Sequence, residues 1–309
     1  MNGNLQSVMH PAGWDAAIIS GFAWVLFGAG TLIFVAVMAL LLLSLRPQGR
    51  PANALLWIGG GGIAFPVLVL SALLAWSTWR SAQLAPQSSK DALTISVTAK
   101  MWWWEVRYHD PASGREIVTA NEIHIPTGRA VYLGLNSSDV IHSLWVPSLA
   151  GKRDMVPGRV TGLSLRAEKP GVYRGQCAEY CGAQHAKMAL HVVASSPEDF
   201  NAWLARQAAP ALPANSQQLE RGRAAFLEQR CQACHTIRGV AEGSHLGPDL
   251  THVGSRMHLG AGTLRNHRDT LNGWIADPQA IKPGVFMPGS RDLDRETLAA
   301  LAAYLEHLK

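Results

Sequence analysis

Two stretches of the chain carry no charged side chain: 28 consecutive residues at 18–45 and 25 at 55–79. At about 1.5 Å per residue each is long enough to cross a hydrocarbon layer of about 30 Å, so the pattern predicts two membrane spans rather than two buried core helices. Gly59 to Gly62 and Pro66 lower helix propensity in the second stretch. In a bilayer, neighbouring helices and local adjustments satisfy the backbone groups they free. From Leu93 the period changes. LTISVT alternates apolar and polar residues, as a half-buried strand does, and comparable runs follow at EIHIP, AVYLGLNS, VTGLSLRAE, GVYRGQC and MALHVVA. Turn signals (PASG, PTG, VPG, EKPG) separate them, which predicts an antiparallel sandwich or barrel.

The pattern changes again near residue 200. NAWLARQAAPALPAN, residues 201–215, is rich in Ala and Pro, shows no strand alternation and reads as a linker. Beyond it, SQQLERGRAAFLEQR and the terminal DRETLAALAAYLEHLK carry apolar residues at helical spacing, the latter behind acidic capping residues. The predicted organisation is therefore a multi-domain chain: a two-helix transmembrane hairpin over 1–90, an all-β domain over 91–200, a linker over 201–215 and an all-α domain over 216–309. If flexible, a linker of this length reaches roughly 20–25 Å, so weak, mobile docking between the domains it joins would suffice.

Charge alters the picture little. The net charge is +5, and residues 1–90 hold four basic and one acidic side chain, whereas 91–200 hold eleven of each. The excess sits around the spans, with no basic patch that would mark a nucleic-acid partner. Arg46 and Arg50 between the spans, against no Lys or Arg in residues 1–17, favour a cytoplasmic loop, although Arg80 and Lys90 follow the second span. The lack of a basic n-region in residues 1–17 gives no clear sign of a cleavable signal peptide.

The chemistry lies in two cysteine motifs. CAEYCGAQHAKM, residues 177–188, gathers Cys177, Cys181, His185 and Met188. Thiolate, thioether and imidazole together favour copper over zinc, since a structural zinc site has little use for a methionine. CQACH places Cys231, Cys234 and His235 in the signature of covalent c-type haem attachment. A zinc knuckle would need a second ligand pair, and these motifs account for all four cysteines. The sixth haem ligand is a Met or His. Met287, in the Pro- and Gly-rich KPGVFMPGS, is a better candidate than Met257, His258 or His267.

GQCAEYCGAQHAKM, together with DVIHSLWVPS at 139–148 and DMVPGR at 154–159, resembles subunit II of the haem-copper cytochrome c oxidases. The resemblance implies a cupredoxin-like fold holding a binuclear copper centre, CuA. Cys177 and Cys181 would bridge two coppers, His142 and Met188 would complete one, and His185 and the Glu179 carbonyl the other. The Glu179 side chain would bind magnesium at the contact with subunit I. Trp102, first of three consecutive tryptophans, would receive the incoming electron. Because adjacent strand residues point to opposite faces, at least one of Trp102, Trp103 and Trp104 is expected to be exposed.

The C-terminal part resembles the class I cytochromes c. Gly222 and Phe226 would pack on Leu301 and Tyr304, and the Pro248 carbonyl in LGPDL would accept a hydrogen bond from His235. The two resemblances together imply a caa-type arrangement, with electrons passing from an external donor such as cytochrome c through haem c and CuA to a dioxygen site in subunit I, subunit III being a further partner. They also place the chain in the bacterial inner membrane, with both termini and both redox domains on the outer face. One departure is that ANALLWIGGGG, residues 52–62, has no carboxylate where many relatives carry a proton-uptake Glu. A membrane-anchored carrier without partner subunits would keep both centres. A copper chaperone would need neither Met188 nor a haem.

Overall fold

The computed structural model describes residues 6–46, 53–84, 92–109, 114 and 116–309. Arg50 in the loop between the apolar stretches, Lys90 in the connector after them, and residues 111–113 of the PASG turn lie outside the described residues.

The first apolar stretch forms helix α1 (Trp14–Ser44). The second is helical from Leu55 to Leu84. It opens as a π-helix over Leu55–Ala64, which contains the four glycines, and continues as α2 (Phe65–Ser81). The wider winding just before Pro66 sits where a proline would otherwise disturb an α-helical turn. Leu32, Phe34, Leu56 and Leu68 all face outward, as lipid-facing side chains do. Phe22 meets Trp76 edge-on at 4.9 Å between the two helices. The start of α1 is seated on the β domain. Gly13 N–H donates to the Ser148 carbonyl at 3.1 Å and Ala16 N–H to that of Leu149 at 3.2 Å, so helix-start donors that lack intrahelical partners are satisfied there. A side chain at Gly13 would strike the Leu149 carbonyl.

The β domain contains β1 (Leu93–Lys100), β2 (Trp103–His109), β3 (Glu116–Ala120), β4 (Glu122–Pro126), β5 (Val131–Ser137), β6 (His142–Trp145), β7 (Arg153–Met155), β8 (Thr161–Leu165), β9 (Gly171–Cys177) and β10 (Ala189–Ser195). They form two five-stranded sheets, β3-β2-β1-β5-β8 and β4-β10-β9-β6-β7. Alternation does what the sequence predicts: Ile95, Val97 and Ala99 of β1 and Val131, Leu133 and Leu135 of β5 point into the core. Ile123, Ile125, Leu190 and Val192 meet them from the other sheet. The sandwich is not purely antiparallel, because β1 runs parallel to β5 and β10 parallel to β4.

The segment expected to be a flexible linker is instead ordered against both domains. Helix α3 (Pro197–Ala208) starts at Ser196, whose hydroxyl accepts from Asp199 N–H. Phe200 is buried in the β core, and Trp203 stacks on His124 at 4.0 Å. The extended residues after α3 are held by the C-terminal domain: Ala211 N–H donates to the Arg238 carbonyl, and the Ala209 carbonyl accepts from His252 at 3.0 Å. Aromatic anchors inside the Ala-rich run and backbone pairing beyond it override a composition that suggests a loose tether.

The C-terminal domain packs α4 (Gln217–Glu228) across α7 (Arg295–His307), with α5 (Arg268–Ala276), the short α6 (Pro278–Ile281) and a two-residue ribbon of β11 (His258–Leu259) and β12 (Leu264–Arg265) alongside. Ser216 and Asp294 cap the two long helices. Phe226, Leu301 and Tyr304 share one buried cluster, and Gly222 lets the helices touch. A Cβ there would meet the Ala300 carbonyl and the Tyr304 Cβ at α7. Gly222→Val is therefore expected to destabilise this domain by at least about 1–3 kcal/mol through overpacking. Gly273→Ala, in open space on α5, is expected to stabilise it by up to about 1 kcal/mol through helix propensity. Calorimetry of the full chain reads both signs.

Candidate functional site

Strand pairing brings the copper-type donors together. Leu144 of β6 lies across from Cys177 of β9, which puts His142 beside the loop that follows β9. The loop is pinned at both ends. Cys177 N–H donates to the Met188 carbonyl and Ala178 N–H to that of Ser143, each at 2.9 Å. The two sulfurs, Cys177 Sγ and Cys181 Sγ, lie 3.8 Å apart, far from the roughly 2.05 Å of a disulfide. Around Cys177 Sγ stand His142 Nδ1 at 3.8 Å and the Glu179 carbonyl at 3.2 Å. Around Cys181 Sγ stand His185 Nδ1 at 3.6 Å and Met188 Sδ at 3.8 Å. Donors bonded to one metal at about 2.0–2.3 Å in tetrahedral geometry lie about 3.5–3.8 Å from each other, so this spacing fits metal ligation. Five soft or borderline donors and one carbonyl oxygen exceed what one tetrahedral ion needs. His142, Cys177 and Cys181 are all buried.

The electrostatics favour a thiolate. The Cys181 thiol facing Cys177 holds the latter far below the usual thiol range, with further help from His142 and the Ser143 and Glu179 backbone, against the opposing effect of burial. Asp139 was not singled out by the sequence. Its Oδ1 accepts from His142 Nε2 at 2.7 Å and its Oδ2 from Met101 N–H at 2.7 Å. That contact fixes the ring and leaves Nδ1 turned to Cys177, the arrangement by which carboxylates orient metal-binding histidines. Glu179 is divided in function. Its carbonyl turns to Cys177 Sγ, while its half-exposed carboxylate stands 3.8 Å from Lys152 Nζ.

The second motif forms a 3-10 turn over Cys231–Ala233, and His235 N–H donates to the Cys231 carbonyl at 3.0 Å. His235 Nδ1 donates to the Pro248 carbonyl at 2.7 Å, which leaves Nε2 as the free ligand atom. Burial, the largest influence, holds the imidazole below its usual pKa and so neutral, as a ligand must be. A Cβ on Gly247 would run into the His235 ring, so only glycine permits this ring position. Cys231, Cys234, His235 and Pro248 are thus brought together, and the residues fit covalently bound haem. Met287 lies on the loop after α6, its carbonyl accepting from Gln279 Nε2 at 3.1 Å. Of the alternatives, His258 stacks on His191 at 4.4 Å, His267 caps α5, and the Met257 backbone is tied to Glu122.

The tryptophan expectation needs correction. Trp104 is fully buried, Trp103 is half-buried beneath Lys100 Nζ at 4.9 Å, and Trp102 is only 8% exposed. Trp102 is covered by the C-terminal domain, whose Phe286 stacks on it at 6.3 Å and 13°. Its indole N–H donates to the Cys181 carbonyl at 2.8 Å. Alternation along one strand cannot anticipate a second domain over that face.

Residues 105–195 match the family described as cytochrome c oxidase subunit II, periplasmic domain, and residues 219–309 match the cytochrome c family. A cytochrome c oxidase subunit 2 of Alkalihalophilus pseudofirmus is 36% identical over 224 residues, covering 72% of this chain and 64% of that protein. The chain thus spans just under two thirds of that relative. The Bacillus subtilis cytochrome c oxidase subunit 2 is 33% identical over 263 residues, covering 79% of this chain and 72% of that protein. Among solved structures, the periplasmic domain of subunit II of cytochrome oxidase from Bradyrhizobium japonicum is 28% identical with a TM-score of 0.35, covering 38% of this chain and 93% of that one.

Asp139→Asn removes the negative charge that orients His142 while keeping the side chain's shape. It is expected to weaken metal affinity about 10–100-fold without unfolding the β domain. A chelator-competition titration beside a thermal melt reads the two effects separately.

Proposed function

Because the chain belongs to the cytochrome c oxidase subunit II family and carries a C-terminal cytochrome c domain, we propose that it is the electron-input subunit of a terminal oxidase. The observation that carries this reading is the cluster of two thiols, two imidazoles, a thioether and a carbonyl, in which Cys177, Cys181, His142 and Met188 are buried and Cys177 Sγ and Cys181 Sγ lie 3.8 Å apart. Cys177, Cys181, His142, His185, Met188 and the Glu179 carbonyl would hold a binuclear copper centre, and the Glu179 carboxylate would hold a magnesium ion at the subunit I contact. Cys231 and Cys234 would attach haem c covalently, and His235 and Met287 would hold its iron. When bound, the two centres supply one-electron chemistry at potentials set by these ligands.

What the chain's own residues do follows from the geometry. Asp139 and the Pro248 carbonyl fix the rings of His142 and His235, so neither imidazole has to reorient when the charge beside it changes. The buried donor cluster keeps water from the metals, which limits reorganisation. With six protein donors at hand, bound metal would have no position left for a substrate, which suits a relay. Trp102 links the two domains, bonded to the Cys181 carbonyl on one side and stacked on Phe286 on the other. Electrons from an external donor such as cytochrome c thus pass inward through haem c and Trp102 to copper, and on to the dioxygen-reducing centre of subunit I, with subunit III in the same complex. The helix hairpin spans the bacterial inner membrane and docks on subunit I. The start of α1 on the β domain supports the reading that both termini and both redox domains lie on the outer face.

The deciding measurement is metal analysis of the purified full chain with visible and near-infrared spectra. Two coppers and one haem per chain are expected. Cys181→Ser is expected to abolish the binuclear copper spectrum while leaving haem content intact. A copper-replete, fully active Cys181→Ser protein would overturn the assignment.

Met287→His tests the axial ligand independently. Replacing a soft thioether with imidazole is expected to lower the haem potential while covalent attachment persists. An unchanged potential in a redox titration moves the ligand elsewhere.

A further inference from the structure

Lys282 is the least expected side chain in the molecule. It follows α6 in the haem domain, is 1% exposed, and has no acidic partner in its immediate contacts. Its Nζ instead donates to three backbone carbonyls: Trp102 at 2.8 Å, Lys187 at 2.7 Å and Gly260 at 2.9 Å. The first two belong to the copper domain and the third to the haem domain. Burial is the main influence pulling its pKa down, to about 7. Three acceptors nevertheless match the three N–H bonds that only the ammonium form has. A buried charge survives when it is fully hydrogen-bonded, and two of the three acceptors, the Trp102 and Lys187 carbonyls, are provided by closing the two domains on each other.

The grip is reciprocal. From the copper loop, Gln184 Nε2 donates to the Pro283 carbonyl at 2.5 Å and Lys187 Nζ to that of Ile281 at 2.6 Å. The backbone on both sides of Lys282 is therefore held by the loop whose carbonyls Lys282 holds. A second contact lies nearby, where Ala189 N–H donates to the Ala261 carbonyl at 3.0 Å. Gly262 lets the backbones approach, since a Cβ there would come within 2.9 Å of Ala189 Cβ. Phe286, four residues after Lys282, is thereby held nearly parallel to Trp102, with ring centroids 6.3 Å apart and its own outer face exposed.

We propose that Lys282 clamps the haem domain in one fixed position over Trp102, so that electrons cross inside the chain at a permanent Phe286–Trp102 contact and the Trp102 face is closed to an external protein donor. This rests on the reading of Trp102 as the port to copper. Each transfer oxidises the haem by one electron and reduces the copper pair by one. No bond forms or breaks, and no proton crosses the contact. Lys282 is a positioning residue that acts through Phe286 and Trp102.

The test uses the full chain in detergent, comparing wild type, Lys282→Met and Phe286→Leu. Two readouts are taken: hydrogen exchange of the peptides spanning 187–191 and 257–262, and flash-initiated haem-to-copper transfer. The wild type is expected to protect both peptides. In Lys282→Met, which keeps the stem but strands the carbonyls, exchange in both is expected to rise on the order of tenfold or more, with the α4 and α7 peptides unchanged. Transfer is expected to slow and become sensitive to viscosity, and a soluble cytochrome is expected to reduce copper directly. Phe286→Leu is expected to slow transfer with exchange unaltered. Unprotected interface peptides in the wild type overturn the clamp without any variant having to fold. So does a Lys282→Met protein with unchanged exchange and rate. Exchange needs neither metal, so a wild type lacking copper or haem condemns the functional reading while the clamp is still judged on its own data.

Discussion

One backbone hydrogen bond, from Cys177 N–H to the Met188 carbonyl at 2.9 Å, closes the loop on which the rest of the structure depends. It makes the last residue of β9 and the residue before β10 a fixed base, so that the ten residues between them project as a rigid loop from paired strands. Four donor side chains and one donor carbonyl then face inward from a single loop. The sixth donor, His142, arrives because β6 pairs with β9. The same loop offers Gln184, Lys187 and the Lys187 carbonyl outward to the haem domain. Metal cage and docking surface are two faces of one closed loop, so a disturbance of either is transmitted to the other over a few residues.

Much of this was legible in the sequence, for identifiable reasons. Ligand chemistry is local where donors are close in sequence, and Cys177 to Met188 and Cys231 to His235 are each short runs of unusual composition. The strands of the β domain announce themselves because each has one face in the core, giving clean alternation at β1 and β5. Asp139 and Lys282 were not legible. An aspartate three residues before a histidine is commonplace, and only the fold shows that its carboxylate reaches Nε2. A lysine in a Pro- and Gly-rich loop reads as solvated, and its burial arises from carbonyls 180, 95 and 22 residues away in the chain.

The expectation of a mobile tether failed for a related reason. Composition reports how a segment behaves alone, and NAWLARQAAPALPAN alone would be flexible. Trp203 reverses this by stacking on His124 and meeting Tyr108 edge-on at 5.1 Å, which extends α3 to Ala208. The residues after it pair with the haem domain rather than spanning open space. A loose linker raises the frequency of encounters, whereas a fixed one sets their geometry.

Trp102 shows why a fixed geometry suits this chain. Its indole N–H is committed to the Cys181 carbonyl, its own carbonyl to Lys282, and its ring face to Phe286. A Cβ on Gly182 would come within 3.2 Å of the ring, so the loop also leaves space for it. A residue constrained in so many directions cannot serve both as an open docking surface for a diffusing partner and as a buried bridge. On the proposed reading the second domain makes it a bridge. Recognition of an external donor would then fall to a surface of the haem domain away from the copper domain, where the selectivity of electron input could change without any alteration of the copper site.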